Sequence, residues 1–165
     1  MNGTVFDIFI AESPESDMRS LAEVSLVAGK GIEGDRYFYG KGTFSEKLKD
    51  NPSAELTLIE KEEVDNFNIN HKQNHQYGDF RRNIVTEGFR LNDFVGKDFT
   101  IGDVKLKGIR LCEPCTYLAE TVNPLVLPCM VGVAGLRAQI IMSGTIRKSD
   151  IVKGELPGPG LGERD

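Results

Sequence analysis

Residues 97–111 read KDFTIGDVKLKGIRL. Apolar residues alternate on either side of Gly102-Asp103, a dipeptide suited to a tight hairpin, so the stretch predicts two antiparallel strands. Val104, Leu106 and Gly108 share one face while Ile109 and Leu111 lie on the other, which predicts burial on both sides near the end of the second strand. The same grammar recurs along the chain. GTVFDIFIAE places Phe6, Ile8 and Ile10 on one face, with Phe9 apolar beside them. AEVSLVAG alternates through Val24, Leu26 and Ala28 and stops at Gly29; AELTLIE alternates through Leu56 and Leu58. GLRAQIIMSGTIRKSDIVKG predicts two closing strands around Ser143-Gly144. Helix is scarce: EKEEVDNFN has acidic residues in its first turn, where the helix dipole favours them, and CTYLAETV predicts a short helix with Pro114 in its first turn. These segments predict a mostly-β fold, a barrel or sandwich with a few short helices.

Length and composition bound the rest. With 165 residues and 39% apolar content the chain suits one domain with a sizeable core, read here as residues 1–155, with 156–165 a flexible tail rich in proline and glycine. A net charge of −5 argues against a nucleic-acid partner, and an odd count of three cysteines argues against a secreted disulfide framework. MNGTVFDIFIAESPES lacks the basic start of a signal peptide, and the longest apolar run, PLVLPCMVGVAGL, falls well short of a membrane span. The expectation is a cytoplasmic protein without membrane contact.

Chemistry concentrates in three places. The first is LCEPC, where Cys112 and Cys115 bracket Glu113-Pro114; alone it fits a metal clip, a redox dithiol or one reactive thiol with a neighbour. A zinc site needs about four ligands, and only Cys129, His71 and His75 remain to complete one. The HKQNH stretch that holds both histidines reads as a solvated polar loop. A thioredoxin-like dithiol wants its first cysteine at a helix start, whereas here Cys115 begins the helix and Cys112 sits in the strand pattern. Backbone N–H groups at a helix start favour thiolate over thiol, which singles out Cys115; Cys112 is a buried structural thiol or a resolving partner. The second place is Arg81-Arg82-Asn83, either an anion clamp of guanidinium and carboxamide or a solvated pair with a capping Asn. Strand alternation would allow only one of the two arginines to face a given pocket. The third is GKGIEGDRYFYGKG, with five glycines in fourteen residues. There Gly34-Asp35-Arg36 is either a turn with a local ion pair or a glycine-opened phosphate contact.

Taken in order, GKGIEGDRY, RRNIVTEG, VGKDFTIGDVKLKGIRLCEPC and GLRAQIIMSGTIRKSD resemble the MOSC domain family, over roughly residues 20 to 152. MOSC domains occur at the C-terminus of eukaryotic molybdenum cofactor sulfurases and as free-standing bacterial proteins. The resemblance implies a β-barrel of the pyruvate-kinase-barrel-like type that binds molybdenum cofactor (molybdopterin) or handles its sulfur. It puts the family's key cysteine on Cys115, as a persulfide carrier or a molybdenum ligand. It also implies cofactor contacts from Gly34, Asp35, Arg36, Arg81, Arg82, Asn83, Cys112, Glu113 and Arg137, with Arg82 and Asn83 on the pterin or its phosphate and Arg36 and Arg137 lining the same anionic pocket.

The implied activity is sulfur transfer to the cofactor or molybdenum-dependent reduction of N-hydroxylated compounds. The alternatives are a non-catalytic cofactor carrier and a CxxC dithiol redox protein. The pyridoxal phosphate association of the sulfurases belongs to a separate desulfurase domain, for which no lysine site is recognisable here. Sulfur chemistry would therefore call for a partner desulfurase, reduction for an electron donor, and cofactor binding is expected to be transient.

Overall fold

A computed structural model describes residues 1–155 of the chain; the tail assigned to 156–165 lies outside the described residues. In chain order the strands are β1 (Asn2–Ile10), β2 (Arg19–Ser20), β3 (Glu23–Val27), β4 (Gly31–Ile32), β5 (Leu56–Glu60), β6 (Ile84–Glu87), β7 (Asp98–Ile101), β8 (Val104–Leu111), β9 (Leu136–Met142), β10 (Gly144–Arg147) and β11 (Ile151–Lys153). The helices are α1 (Lys61–His71), α2 (Thr116–Thr121) and α3 (Val126–Cys129). Neighbouring strands run β11-β7-β8-β9-β5-β6-β1, and β1 pairs again with β11, closing a seven-stranded barrel. A second, three-stranded sheet, β10-β3-β4, lies beside it.

The barrel interior holds Val5, Ile8, Leu56, Leu58, Ile84, Leu106 and Leu136, with Phe89 stacked on Phe94 at 4.6 Å between ring centres. A second apolar cluster lies outside the barrel. There Val64 and Phe67 of α1, Leu118 of α2 and Val126 of α3 cover Ile59 and Val85. Every residue of β5 is therefore buried, one face inward and the other under helices. This follows from topology: β5 and β6 are parallel, and parallel neighbours need a crossover, which α1 provides.

The hairpin predicted around Gly102-Asp103 forms, joining β7 to β8. Four expectations are corrected. In β1 the register slips between Val5 and Asp7, so Phe6 bulges outward and Val5, not Phe6, enters the core. The closing segment makes three strands rather than two. β10 leaves β9 to pair with β3, Gly144 facing Leu26, and β11 returns to the barrel. Pro114 precedes the first turn of its helix, because Cys115 takes the N-cap position. HKQNH is a loop only after His71, with Lys72 and Asn74 exposed, while His71 ends α1 and the half-buried rings of His71 and His75 pack 5.0 and 6.1 Å from that of Phe67. Among the described residues no helix is long and apolar enough to cross a membrane.

Candidate functional site

Strand β8 delivers the chain to the site and α2 carries it away. Beyond Leu111, the N–H of Cys112 donates to the carbonyl of Gly135 (2.8 Å), which extends the β8–β9 ladder by one rung. Pro114 then turns the backbone, and Cys115 caps α2 with its Sγ accepting the N–H of Leu118 at 3.5 Å. The Cys115 side chain is half-buried against the outer apolar cluster and lines a cavity on its other side; Cys112 is buried, and both thiols are free.

That cavity is bounded by four guanidinium groups, Arg36, Arg81, Arg82 and Arg137, together with Cys115 and Tyr117. Narrow at about 30 Å³, it adjoins two wider spaces. Past Cys115, Arg82 and Arg137 is a cleft of about 290 Å³ that also touches Leu48, Arg110, Cys112 and Glu113. Past Arg81 and Tyr117 is a groove of about 600 Å³ walled by Phe9, Tyr77, Asp7, Glu15, Asp17 and Asp79.

The arginines are fixed in different ways. Arg36, Arg82 and Arg137 are only 6, 8 and 9% exposed. Arg36 pairs with Asp35 at 3.0 Å. Arg82 donates to the carbonyls of Ala134 (2.9 Å), Phe80 (3.3 Å) and Cys112 (3.2 Å), tying three segments to one side chain. Arg81 donates to Ser16 (2.8 Å) and Ser13 (3.4 Å). Burial and the positive charge of Arg36 lower its pKa. Among the described residues the Arg137 side chain makes one hydrogen bond, to Ser53 O at 3.4 Å, and lies 5.7 Å from the ring centre of Phe44. Among the described residues Asp35 is the one carboxylate paired with any of the four. A cavity with this surplus of buried positive charge suits an anion with several oxygens.

Both Arg81 and Arg82 line this cavity, which corrects the one-face expectation. Arg81 is not in a strand: it closes the 3-10 turn Tyr77–Phe80 with φ 60°, and that left-handed step turns both side chains to the same side. Three other candidates sit behind the cavity or away from it. Asp35 is fully buried; it accepts Ala11 N (3.1 Å) and Tyr37 N (3.2 Å), so its work is to hold Arg36 and the surrounding loop. Asn83 is buried too, accepting Thr57 N (3.2 Å) and donating to Phe9 O (3.1 Å), which leaves no amide atom for a ligand. Gly34 makes a turn at φ 93° and lines a separate open groove with Arg19 and Glu33. Glu113 is exposed at the cleft, where it accepts Gly132 N at 2.8 Å.

Reading the sequence missed Tyr37, Phe44 and Tyr117. Phe44 stands in a loop without periodicity, and nothing local marks it. Tyr117 follows Cys115 by two residues, and its hydroxyl donates to Pro14 O at 2.9 Å, bridging α2 to the segment after β1.

A closed barrel with helices on one flank and a thiol beside four arginines at its edge defines a small β-barrel domain with an arginine-lined cavity. The chain belongs to the MOSC domain family, whose model matches residues 45–153. Solved structures share the fold at low identity. The YUAD protein of Bacillus subtilis superposes with a TM-score of 0.76 at 13% identity, over 92% of this chain and 94% of that one. YiiM of Geobacillus stearothermophilus gives 0.70 at 14%, over 97% and 77%. YiiM of Escherichia coli gives 0.69 at 16%, over 96% and 72%. No curated protein sequence matches the chain.

Proposed function

We propose that the chain binds molybdenum cofactor, with Cys115 as the sulfur ligand of the metal and the arginine cavity as the seat of the cofactor's phosphate. The MOSC family is associated with this cofactor. The observation that carries the reading is Arg137, a buried guanidinium with one long hydrogen bond, in the same cavity wall as the Cys115 thiol. The donor set fits the group: a soft sulfur for the metal and planar N–H forks for phosphate oxygens.

In this reading Arg137 and Arg36 hold the phosphate, and Arg82 keeps Cys112 and Ala134 in place behind it. The Leu118 N–H orients the Cys115 sulfur toward the cavity, and Tyr117 separates the cofactor side from the groove through which substrate arrives. When bound, the cofactor would supply a molybdenum centre able to take oxygen from an N-hydroxylated compound, with two electrons and two protons from a partner donor and water as the second product. The groove of about 600 Å³ beyond Arg81 and Tyr117, two residues that also line the Cys115 cavity, favours this over sulfur transfer, because it gives a small substrate its own approach.

The test is metal analysis and pterin fluorescence on protein made in a cofactor-competent host. The wild type is expected to carry molybdenum and pterin, and Cys115→Ala to lose the metal while melting normally. A molybdenum-free wild type that takes up labelled sulfur on Cys115 from a cysteine desulfurase would overturn the reductase reading in favour of sulfur transfer.

A further inference from the structure

A cavity of about 460 Å³ lies on the other side of Tyr37 and Leu48 from the arginine cavity and its cleft; none of the four arginines and neither thiol of the CxxC pair lines it. Its inner wall carries Glu55, 6% exposed and, among the described residues, paired with no cation. The Oε1 atom of Glu55 accepts two backbone N–H groups, from Gly29 at 3.2 Å and Ile140 at 3.1 Å, and so joins the β3–β4 turn to β9. These bonds use one oxygen. Among the described residues Oε2 has no partner, and it is the atom left to meet whatever enters the cavity. Oε2 is not sealed in the interior but reached from the cavity, so the free half of the carboxylate is open to a donor that enters there.

The rest of the lining narrows the ligand. Tyr37 and Phe38 give the cavity aromatic walls, on which a flat ring can stack. Lys30 and Lys49 are exposed at its solvent edge, with the Lys30 Nζ 5.4 Å from the Phe38 ring centre. Asp50 is also exposed there, so the edge does not form a strong anion trap. The arrangement is an inner acceptor, aromatic walls and outer ammonium donors. A ring N–H and the exocyclic amino group beside it can both donate to Oε2, and a ring oxo group and ring nitrogen match the lysines, as lysine reads the O6/N7 edge of guanine. Adenine places an acceptor nitrogen where guanine has its ring N–H, and would set a lone pair against the carboxylate.

We infer that this cavity is a second ligand site, selective for a 2-amino-4-oxopyrimidine ring, the edge shared by guanine nucleotides and pterins, with Glu55 as its anchor. The site stands independently of the cofactor reading of the arginine cavity.

The test is calorimetric titration of the full chain with guanosine 5′-monophosphate, adenosine 5′-monophosphate and 6-hydroxymethylpterin. At least one of the two guanine-type rings is expected to bind tenfold or more tightly than the adenine nucleotide. The tighter of the two identifies the source, a nucleotide or a pterin. Glu55→Gln keeps an oxygen for Gly29 and Ile140 but puts an N–H donor at the free position, and should weaken binding at least tenfold. Lys49→Ala, an exposed change that leaves the core alone, should weaken it about threefold. The inference is overturned by no saturable binding of either guanine-type ring, by equal binding of the adenine nucleotide, or by binding unchanged in Glu55→Gln. It is overturned equally if Arg137→Gln abolishes binding while Glu55→Gln does not, since the ligand then sits among the arginines.

Discussion

Glu60 offers the sharpest test of the physical picture of the barrel. It ends β5, occupies the N-cap position of α1 without making a side-chain cap, and is 8% exposed. Burial raises its pKa to about 7; the neighbouring Glu63 and Glu62 add to the rise, while Arg90 and the N–H of Leu91 oppose it. The sign follows from proton linkage. Between the ordinary carboxylate pKa of 4.5 and about 7 the folded protein holds a proton that the unfolded chain has released. This contribution to stability is complete below about pH 4.5 and is lost as pH rises through 7. The full window corresponds to about 3 kcal/mol at most, and solvent screening at the barrel end reduces it to about 1–2 kcal/mol. Urea denaturation of wild type and Glu60→Gln at pH 5 and pH 8 isolates this carboxyl, because the histidines and all other groups are common to both proteins. The variant is expected to gain about 1–2 kcal/mol relative to wild type between the two pH values. Identical pH profiles would show that Glu60 is ionised throughout and refute the argument from burial.

Arg82 and Arg137 line one cavity but should respond in opposite ways. Arg82→Gln removes the guanidinium that binds three carbonyls and is expected to cost about 2–3 kcal/mol in a denaturant melt. Arg137→Gln should cost under about 1 kcal/mol while lowering anion affinity, read as the loss of phosphate protection against unfolding. Gly135→Ala should destabilise by about 2–4 kcal/mol in thermal melts, since at φ 126° its Cβ would press into the carbonyl oxygen of Leu58 beside the Arg82 side chain. Asn83→Ala strands Thr57 N and Phe9 O in the interior and is expected to cost about 2–3 kcal/mol by the same assay, with little change in anion binding.

Much of this architecture was readable in the amino-acid order because the residues that carry it act locally. Gly102-Asp103 sets a hairpin by its own backbone preference. The position of Cys115 at the start of α2 follows from the proline before it and the alternation that ends at Leu111. Other features depend on partners far away in the chain. The bulge at Phe6 is set by the register against β6, about 80 residues later, and alternation within β1 alone gives the wrong inward residue. The pairing of β10 with β3 rather than β9 has no local signature. Arg81 and Asn83 were both recognised as notable, but their orientation was not. One depends on a left-handed backbone step, and the other on a ring of buried partners from β1 and β5. Composition marks a polar residue as unusual; only the tertiary fold decides whether it serves a ligand or the protein's own backbone.

The seam between β1 and β11 has a consequence for biosynthesis. Asn2 lies opposite Lys153, and the bonds Val5 N to Asp150 O and Ser149 N to Val5 O fasten the same join. A nascent chain on the ribosome thus keeps the first strand's outer edge unsatisfied until nearly all 155 described residues have emerged, an interval in which that edge can recruit another polypeptide. Barrel closure is thus a late, long-range step that this connectivity makes slow.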